Sequence, residues 1–131
     1  REALDPDQIA DLYAEDAVAV DVAVGTELQG REAIRAYLVE FIGAFSDASA
    51  EVPTVFAAET QAAMEWIFQG RYTGALPGFP PGEGQPVTLH GFSLVEFSED
   101  AIQRTVDFYD VYGILVQLGV VPPPAGATPA G

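Results

Sequence analysis

Apolar side chains recur at helical spacing in two parts of the chain. Asp5-Pro6-Asp7 offers an acidic cap and a proline in the first turn, so we expect a short helix that includes Tyr13 and runs to about Ala14. From Arg31 onward, apolar residues at one-, three- and four-residue steps predict a second helix with one continuous stripe. The stripe consists of Ile34, Tyr37, Leu38, Phe41, Ile42 and Phe45. A short helical or irregular segment is expected at 113–118.

Five segments between or after the two predicted helices are typical of strands, namely 17–24, 50–58, 61–73, 87–97 and 101–110. Pro53 weakens the second of these, and Met64, Trp66, Phe68 and Tyr72 share one face of the third. The segment 74–86 is rich in Gly and Pro and reads as a loop. Loops of this length often carry function.

Helices followed by consecutive antiparallel strands favour an α+β layer architecture, in which a curved sheet wraps the helices and leaves a pocket. We expect one domain over residues 1–119. The Pro-, Gly- and Ala-rich segment 120–131 has no periodicity, and we expect it to be an extended or disordered tail.

Composition narrows the functional classes. With 49% hydrophobic and 19% charged residues in a chain of 131, a folded domain with a real core is expected. The net charge of −15, without a basic patch, argues against nucleic acid and anionic membrane as partners. The chain has no Cys, which excludes disulfides and thiolate chemistry. It also has no apolar run long enough to span a membrane and no signal-peptide stretch, so we expect a soluble cytoplasmic protein.

Two acids follow an apolar run near the end of the domain, and a third interrupts the first strand. Asp107 would share a strand face with Thr105 and Tyr109, whereas Asp110 would point to the other face. A partly apolar pocket would raise the pKa of Asp107 toward the range of a general base. The alternative is a solvated acid at a strand end. Asp21 is open to the same two interpretations, as a second pocket acid or as an acid that marks the turn before Gly25.

The remaining candidates are weaker. His90 is the only histidine in the chain. It lies three residues before Ser93 on the same predicted strand, so the two side chains are on opposite faces and we expect His90 to point away from the pocket. A lone His without clustered partners also argues against a zinc or iron site. Trp66 and Tyr13 are most simply core aromatics, although either is a candidate for the pocket wall.

The first part of the chain resembles the bacterial ketosteroid isomerases of the nuclear transport factor 2-like superfamily. The resemblance lies in Leu12-Tyr13-Ala14-Glu15-Asp16-Ala17, then Asp21, then Gly30-Arg31-Glu32-Ala33-Ile34. It implies a cone-shaped α+β fold, and it implies that Asp21 occupies the position of the isomerases' general base.

The second part resembles the SnoaL-like polyketide cyclases of the same superfamily. The matching residues are Gly74, Gly78-Phe79-Pro80-Pro81, Ile102, the segment from Asp107 to Asp110, and Gln117-Leu118-Gly119. This resemblance implies that Asp107 is the acid that abstracts the substrate proton, and that the protein forms homodimers.

The chain departs from these families at three positions. Ser93 stands where the cyclases have a His and lies on the strand where the isomerases have a protonated acid, so a weaker donor would face the oxyanion. Tyr13 is the nearest match to the isomerases' oxyanion Tyr, and we expect the N-terminal helical region to be incomplete. Thr105 replaces the Arg of the related epoxide hydrolases, which disfavours epoxide hydrolysis and epoxide-opening cyclisation.

The sequence thus predicts a cofactor-independent cyclase or isomerase that acts on a small apolar ketone, polyketide-like or steroid-like. Asp107 would be the base and Asp21 a second acid or base, with Ser93 or water supporting the enolate. Ligand contacts are expected from Ser93, Tyr109, Thr105, Tyr13 and Trp66. No metal or nucleotide is expected. The alternative is a non-catalytic binding or dimerisation domain, with the sheet face that carries Val106 and Phe108 as the dimer surface.

Overall fold

The structure is a computed structural model that describes residues 4–125, and these residues form one six-stranded sheet with helices packed on it. In chain order the elements are α1 (Pro6–Ala10), β1 (Tyr13–Asp21), β2 (Thr26–Gln29), α2 (Arg31–Gly43), β3 (Phe45–Ala57), β4 (Gln61–Tyr72), β5 (Gln85–Ser98), β6 (Ala101–Tyr109) and α3 (Val111–Gln117). The strand order is β2-β1-β6-β5-β4-β3. All neighbouring pairs are antiparallel except β1 and β6, which are parallel. The predicted α+β class is confirmed, but the sheet is mixed rather than wholly antiparallel.

Helix α1 begins where the sequence predicts and ends earlier. The Asp5 side chain caps it by accepting hydrogen bonds from two backbone amides at 2.9 and 3.4 Å. The helix ends at Ala10 rather than Ala14, because the following residues join the sheet and Tyr13 pairs with Ile102 of β6. The placement of Tyr13 in the first helix was therefore wrong. It is the first residue of β1.

Strands β1 and β3 differ from their predicted extent. Strand β1 covers Tyr13–Asp21 rather than 17–24, because its first residue pairs with β6 and a turn follows Asp21. Strand β3 starts at Phe45 rather than residue 50, since its polar first half is held by pairing with β4 and has little strand signal of its own. A shift in register between Glu51 and Thr54 accommodates Pro53. The short strand β2 was not predicted. Most of its residues are exposed, and it is defined by its pairing with β1.

The inner face of the sheet holds the core. Ile34 of α2 packs on Ala17 and Ala19 of β1, which confirms the apolar stripe within that helix. The inclusion of Phe45 in the stripe was wrong, because the helix ends at Gly43 and Phe45 is the first residue of β3. Farther along α2, Phe41 packs at the edge of a cluster formed around Phe68 of β4. The helix thus lies across both ends of the sheet, and it closes one side of the space that contains the candidate site.

The loop 74–84 is fixed over the inner face by Tyr72, whose side chain is fully buried. The Tyr72 hydroxyl donates to the Pro80 carbonyl at 2.6 Å and accepts from the Leu76 amide at 3.1 Å. At Gly82 an added Cβ would lie 2.5 Å from the Tyr72 carbonyl oxygen, so only glycine fits. The loop is consequently an ordered wall.

Helix α3 is held against β5 by Gln117. Its amide accepts a hydrogen bond from the Thr88 backbone N at 2.7 Å and donates to the Thr88 carbonyl at 2.8 Å. At the other end of the helix, the Asp110 side chain caps the first turn by accepting from the Gly113 amide at 2.8 Å. Asp110 therefore anchors the turn between β6 and α3.

The segment 120–125 contains no helix or strand. The rest of the predicted tail, 126–131, lies outside the described residues. Within residues 4–125 no helix has both the length and the apolar character that crossing a membrane requires.

Replacing Gln117 by Ala should lower the free energy of unfolding by about 1–3 kcal/mol, because two partly buried hydrogen bonds to Thr88 are lost. Urea unfolding measures this change. Gln103→Ala is the matched control, since the Gln103 amide bonds only to Asp16 at the surface, and a change within about 0.5 kcal/mol is expected. Equal losses in both variants would show that Gln117 has no special role in holding α3.

Candidate functional site

The parallel pairing of β1 with β6 places two acids side by side. Asp21, the last residue of β1, lies opposite Asp107 in the ladder, and the Val22 amide donates to the Asp107 carbonyl at 3.0 Å. Neighbouring strands are about 4.8 Å apart, and residues paired in this way present their side chains to the same face. The structure therefore brings together the two acids that the sequence singled out.

Asp107 is held by a line of donors. Its carboxylate accepts a hydrogen bond from the Ser93 hydroxyl at 2.6 Å, and Ser93 Oγ in turn accepts from Trp66 Nε1 at 2.9 Å. The antiparallel register of β5 with β6 pairs Ser93 directly with Asp107. Burial raises the pKa of Asp107, the Ser93 hydrogen bond partly offsets this, and the nearby charge of Asp21 raises it further.

Asp21 is only 9% exposed, and both of its oxygens are bound. Oδ2 accepts from the Tyr109 hydroxyl at 2.6 Å, and Oδ1 accepts from the Val24 amide at 3.1 Å. The second bond shows that Asp21 also shapes the turn that precedes β2. The interpretation of Asp21 as a turn residue is therefore confirmed, and its role as a second pocket acid stays a prediction.

Two tyrosines lie beside the acids. Burial, followed by the hydrogen bond to Asp21, raises the pKa of Tyr109 well above its usual range. Burial, followed by the charges of Asp21 and Asp107, raises the pKa of Tyr37 to about 12. The Tyr37 and Tyr109 hydroxyls are close enough to influence each other's pKa. Both side chains are consequently neutral hydroxyl groups at physiological pH.

Tyr13 and Thr105 lie on the other side of Asp107. Burial raises the pKa of Tyr13, the Thr105 hydroxyl lowers it in part, and the charge of Asp107 raises it. Thr105 is buried, and its hydroxyl makes no hydrogen bond of regular length and angle within residues 4–125. These two residues enclose the acid and do not face the cavity described next.

An apolar cavity of about 390 Å³ lies next to this group, between α2, α3, the sheet and the loop 74–84. Its walls include Tyr37, Phe41, Phe45, Leu76, Phe79, Leu89, Tyr109, Ile114 and Leu118. Of the seven predicted site residues, only Tyr109 lines it. Trp66 does not line the cavity but packs near Tyr109, with the two ring centroids 6.3 Å apart. Tyr109 is thus the link between the cavity and the acids.

Sequence reasoning did not identify Tyr37 as a site residue. It was assigned to the apolar stripe of α2, and nothing in the stripe pattern separates a core tyrosine from one that faces a ligand. One signal was present, since Glu40 follows one helical turn later and also lines the cavity. A tyrosine and a carboxylate on one helix face are unusual for a purely apolar core.

His90 lies on the outer face of the sheet, away from the acids, as predicted. Its Nε2 is 2.6 Å from Glu65, which also accepts a hydrogen bond from Thr54. Glu65 is therefore a surface residue of the sheet. Within residues 4–125 no group of three or more metal-ligating side chains is assembled.

The chain is similar to known proteins in sequence pattern and in fold. A model of the family described as SnoaL-like polyketide cyclase matches residues 1–118. A search of curated protein sequences found no significant match.

Solved structures share the fold at low sequence identity. A hypothetical protein with a ketosteroid isomerase-like fold from Catenulispora acidiphila, solved with trimethylamine, is 23% identical, with a TM-score of 0.71 over 95% of this chain and 87% of its own. A protein described as a SnoaL-like polyketide cyclase from Jannaschia sp. CCS1 is 16% identical, with a TM-score of 0.77 over 89% and 80%. A phenazine biosynthesis-related protein from Pseudomonas aeruginosa is 17% identical, with a TM-score of 0.77 over 100% and 86%.

Replacing Ser93 by Ala should raise the pKa of Asp107 further, because the hydrogen bond that stabilises its carboxylate is removed. An NMR titration of the Asp107 side-chain carboxyl carbon measures the shift. Ser49→Ala removes a buried serine from β3, which is separated from β6 by two strands, and should leave that titration unchanged. A pKa that stays the same or falls in Ser93→Ala would contradict the assigned role of Ser93.

Proposed function

The chain belongs to the SnoaL-like polyketide cyclase family, and we propose that it is a cofactor-independent cyclase or isomerase that removes a proton next to a carbonyl of an apolar ligand. The observation that carries this proposal is the continuous path from cavity to acids. Tyr109 lines the apolar cavity and donates a 2.6 Å hydrogen bond to Asp21, which is paired with Asp107. An apolar cavity with a few convergent polar groups is typical of a small-molecule site.

Asp107 has the properties of the base. It is only partly buried, whereas Asp21 is 9% exposed with both oxygens occupied, so of the two acids Asp107 is the one better placed to accept a further proton. Its raised pKa makes its carboxylate a stronger proton acceptor than an ordinary Asp. Because the base must be ionised, the reaction rate should rise with pH through this raised pKa. Asp21 is the second acid of the proposed site, and its charge contributes to the raised pKa of Asp107.

Ser93 is better suited to hold the base than to stabilise an enolate. Its single hydroxyl proton is donated to Asp107, and the indole N–H of Trp66 is in turn donated to Ser93. Neither proton is available to a ligand oxygen in this arrangement. Stabilisation of the developing negative charge therefore has to come from another hydroxyl. Tyr109 donates its only proton to Asp21, so Tyr37, which also lines the cavity, is the hydroxyl that can donate to the enolate oxygen.

The alternative is a binding domain without catalysis. It is favoured by the observation that Asp107 itself does not line the cavity, so a ligand can be enclosed without touching the base. The fold is compatible with either use. Proton exchange into a ketone separates the two, since only the catalytic protein accelerates it.

We expect the wild-type protein to accelerate solvent deuterium exchange into the carbon next to the carbonyl of apolar ketones such as 1-tetralone. Asp107→Asn should reduce the accelerated rate by about 100-fold or more, because the general base is lost. Asp21→Asn should reduce it less. Mass spectrometry of the ketone after incubation in deuterated buffer measures the rate.

Asp110→Asn is the control for this experiment. It makes the same chemical change at the end of the same strand, and Asn retains the cap of α3, so the wild-type rate should be kept within about twofold. The proposal fails if no ketone in the panel exchanges, or if Asp107→Asn and Asp21→Asn match the wild type.

We further propose that the protein forms a homodimer through the outer face of the sheet. Phe92 and Phe108 stack there with ring centroids 4.8 Å apart, and Phe92 and Leu94 are 47% and 45% exposed. Val106, expected to be part of this surface, is instead buried. Adjacent exposed apolar side chains on a sheet face are typical of a protein contact surface.

Phe92→Glu should convert a dimer into a monomer, because a carboxylate would be placed in the apolar contact. Sedimentation velocity over a concentration series measures the mass. Val39→Glu puts the same charge on an exposed apolar position of α2 and should leave the mass unchanged. A monomeric wild type at about 100 μM would exclude this dimer.

A further inference from the structure

The cavity has few polar groups, and most of them are already bonded or lie at its rim. The Tyr72 hydroxyl is bound on both sides by the loop, to Pro80 and Leu76. Thr26 and Glu40 are exposed. The hydroxyl groups that remain for an enclosed ligand belong to Tyr37 and Tyr109.

Tyr109 is an acceptor toward the cavity. A phenol has one proton, and that of Tyr109 is donated to Asp21 at 2.6 Å. The oxygen therefore presents only lone pairs to a ligand. Asp21 is itself fixed by the Val24 amide at 3.1 Å, so it acts as a positioning residue that sets the direction of the Tyr109 hydroxyl.

Tyr37 is a donor toward the cavity. It remains protonated, since burial and the neighbouring carboxylates raise its pKa to about 12. Its hydroxyl lies close to that of Tyr109, which has no proton to offer it, so the one Tyr37 proton is directed either at Tyr109 Oη or at a ligand oxygen that takes the place of this contact. A ligand oxygen that accepts this proton would sit beside one that donates to Tyr109.

We infer that Tyr37 and Tyr109 form a donor and acceptor pair that selects a neutral apolar ligand with a hydroxyl group next to a carbonyl. The ligand hydroxyl donates to Tyr109 Oη, and the ligand carbonyl accepts from the Tyr37 hydroxyl. A neutral ligand is favoured because the lining residues include no Lys, Arg or His, while Glu40 stands at the rim and Asp21 behind Tyr109. The inference builds on the proposed function, since it names the substrate class of the same site, and its test measures binding alone.

Four probes with one bicyclic skeleton separate the two contacts: 2-hydroxy-1-tetralone, 1-tetralone, 2-tetralol and tetralin. Isothermal titration calorimetry gives the dissociation constant of each. The hydroxyketone should bind the wild type about tenfold or more tighter than tetralin, with the two single-function probes in between. Two results with the wild type alone would overturn the inference: dissociation constants of all four probes within twofold of one another, or no binding of any probe.

Single substitutions assign each contact. Tyr109→Phe should remove the advantage of the hydroxyl probes, Tyr37→Phe should remove that of the carbonyl probes, and tetralin should bind both variants as it binds the wild type. Tyr112→Phe is the control, because the Tyr112 hydroxyl bonds to the Pro122 carbonyl outside the cavity, and its selectivity should be unchanged. An equal loss for all four probes in Tyr109→Phe would show a structural effect and overturn the assignment.

Asp21→Asn tests whether Asp21 sets the direction of the Tyr109 hydroxyl. The variant should change which probe binds more tightly, rather than weaken the binding of all probes. The Asn oxygen is required by the Val24 amide, which leaves the Asn NH₂ facing Tyr109 as a donor. The Tyr109 proton is then released toward the cavity. Preference should shift about tenfold from 2-tetralol toward 1-tetralone, and an unchanged ratio would overturn the role of Asp21.

Intact selectivity without deuterium exchange would refute the proposed catalysis alone, whereas exchange without selectivity would refute only this inference.

Discussion

The parallel pairing of β1 with β6 is the contact on which the site depends. It joins the start of the sheet to its last strand and places Asp21 opposite Asp107. It also ends α1 early by taking Tyr13 into the ladder, and it leaves β2 as a short edge strand. Two carboxylates on adjacent strands repel each other and lose hydration, so the surrounding side chains have to compensate.

That compensation explains the polar groups around the acids. Ser93 and Trp66 form a line of donors that ends at Asp107, while Tyr109 and the Val24 amide satisfy Asp21. None of these contacts carries a positive charge, so the acids are stabilised by dipoles without being neutralised. The pKa of Asp107 consequently remains raised, which is a condition favourable to proton transfer rather than to maximal stability.

The sequence predicted the elements that have a strong local pattern and missed those that depend on pairing. The stripe of α2 and the aromatic face of β4 were recognised because burial imposes a period on the side chains. Strand β2 and the first half of β3 are polar and mostly exposed, and they are strands because a neighbour completes their backbone hydrogen bonds. Asp107 and Asp21 were selected with the help of family resemblance, and their adjacency came from the ladder.

What the sequence by itself determined was the fold class, a loop predicted at 74–86, the absence of cysteine chemistry and the short set of acids worth considering. The tertiary structure decided which groups meet. It gave the Ser93 proton to Asp107, placed Tyr109 between Asp21 and the cavity, and brought Tyr37 from α2 to the same point. The reason is that hydrogen-bond direction and cavity shape arise from contacts between residues distant in the chain, which local periodicity does not encode.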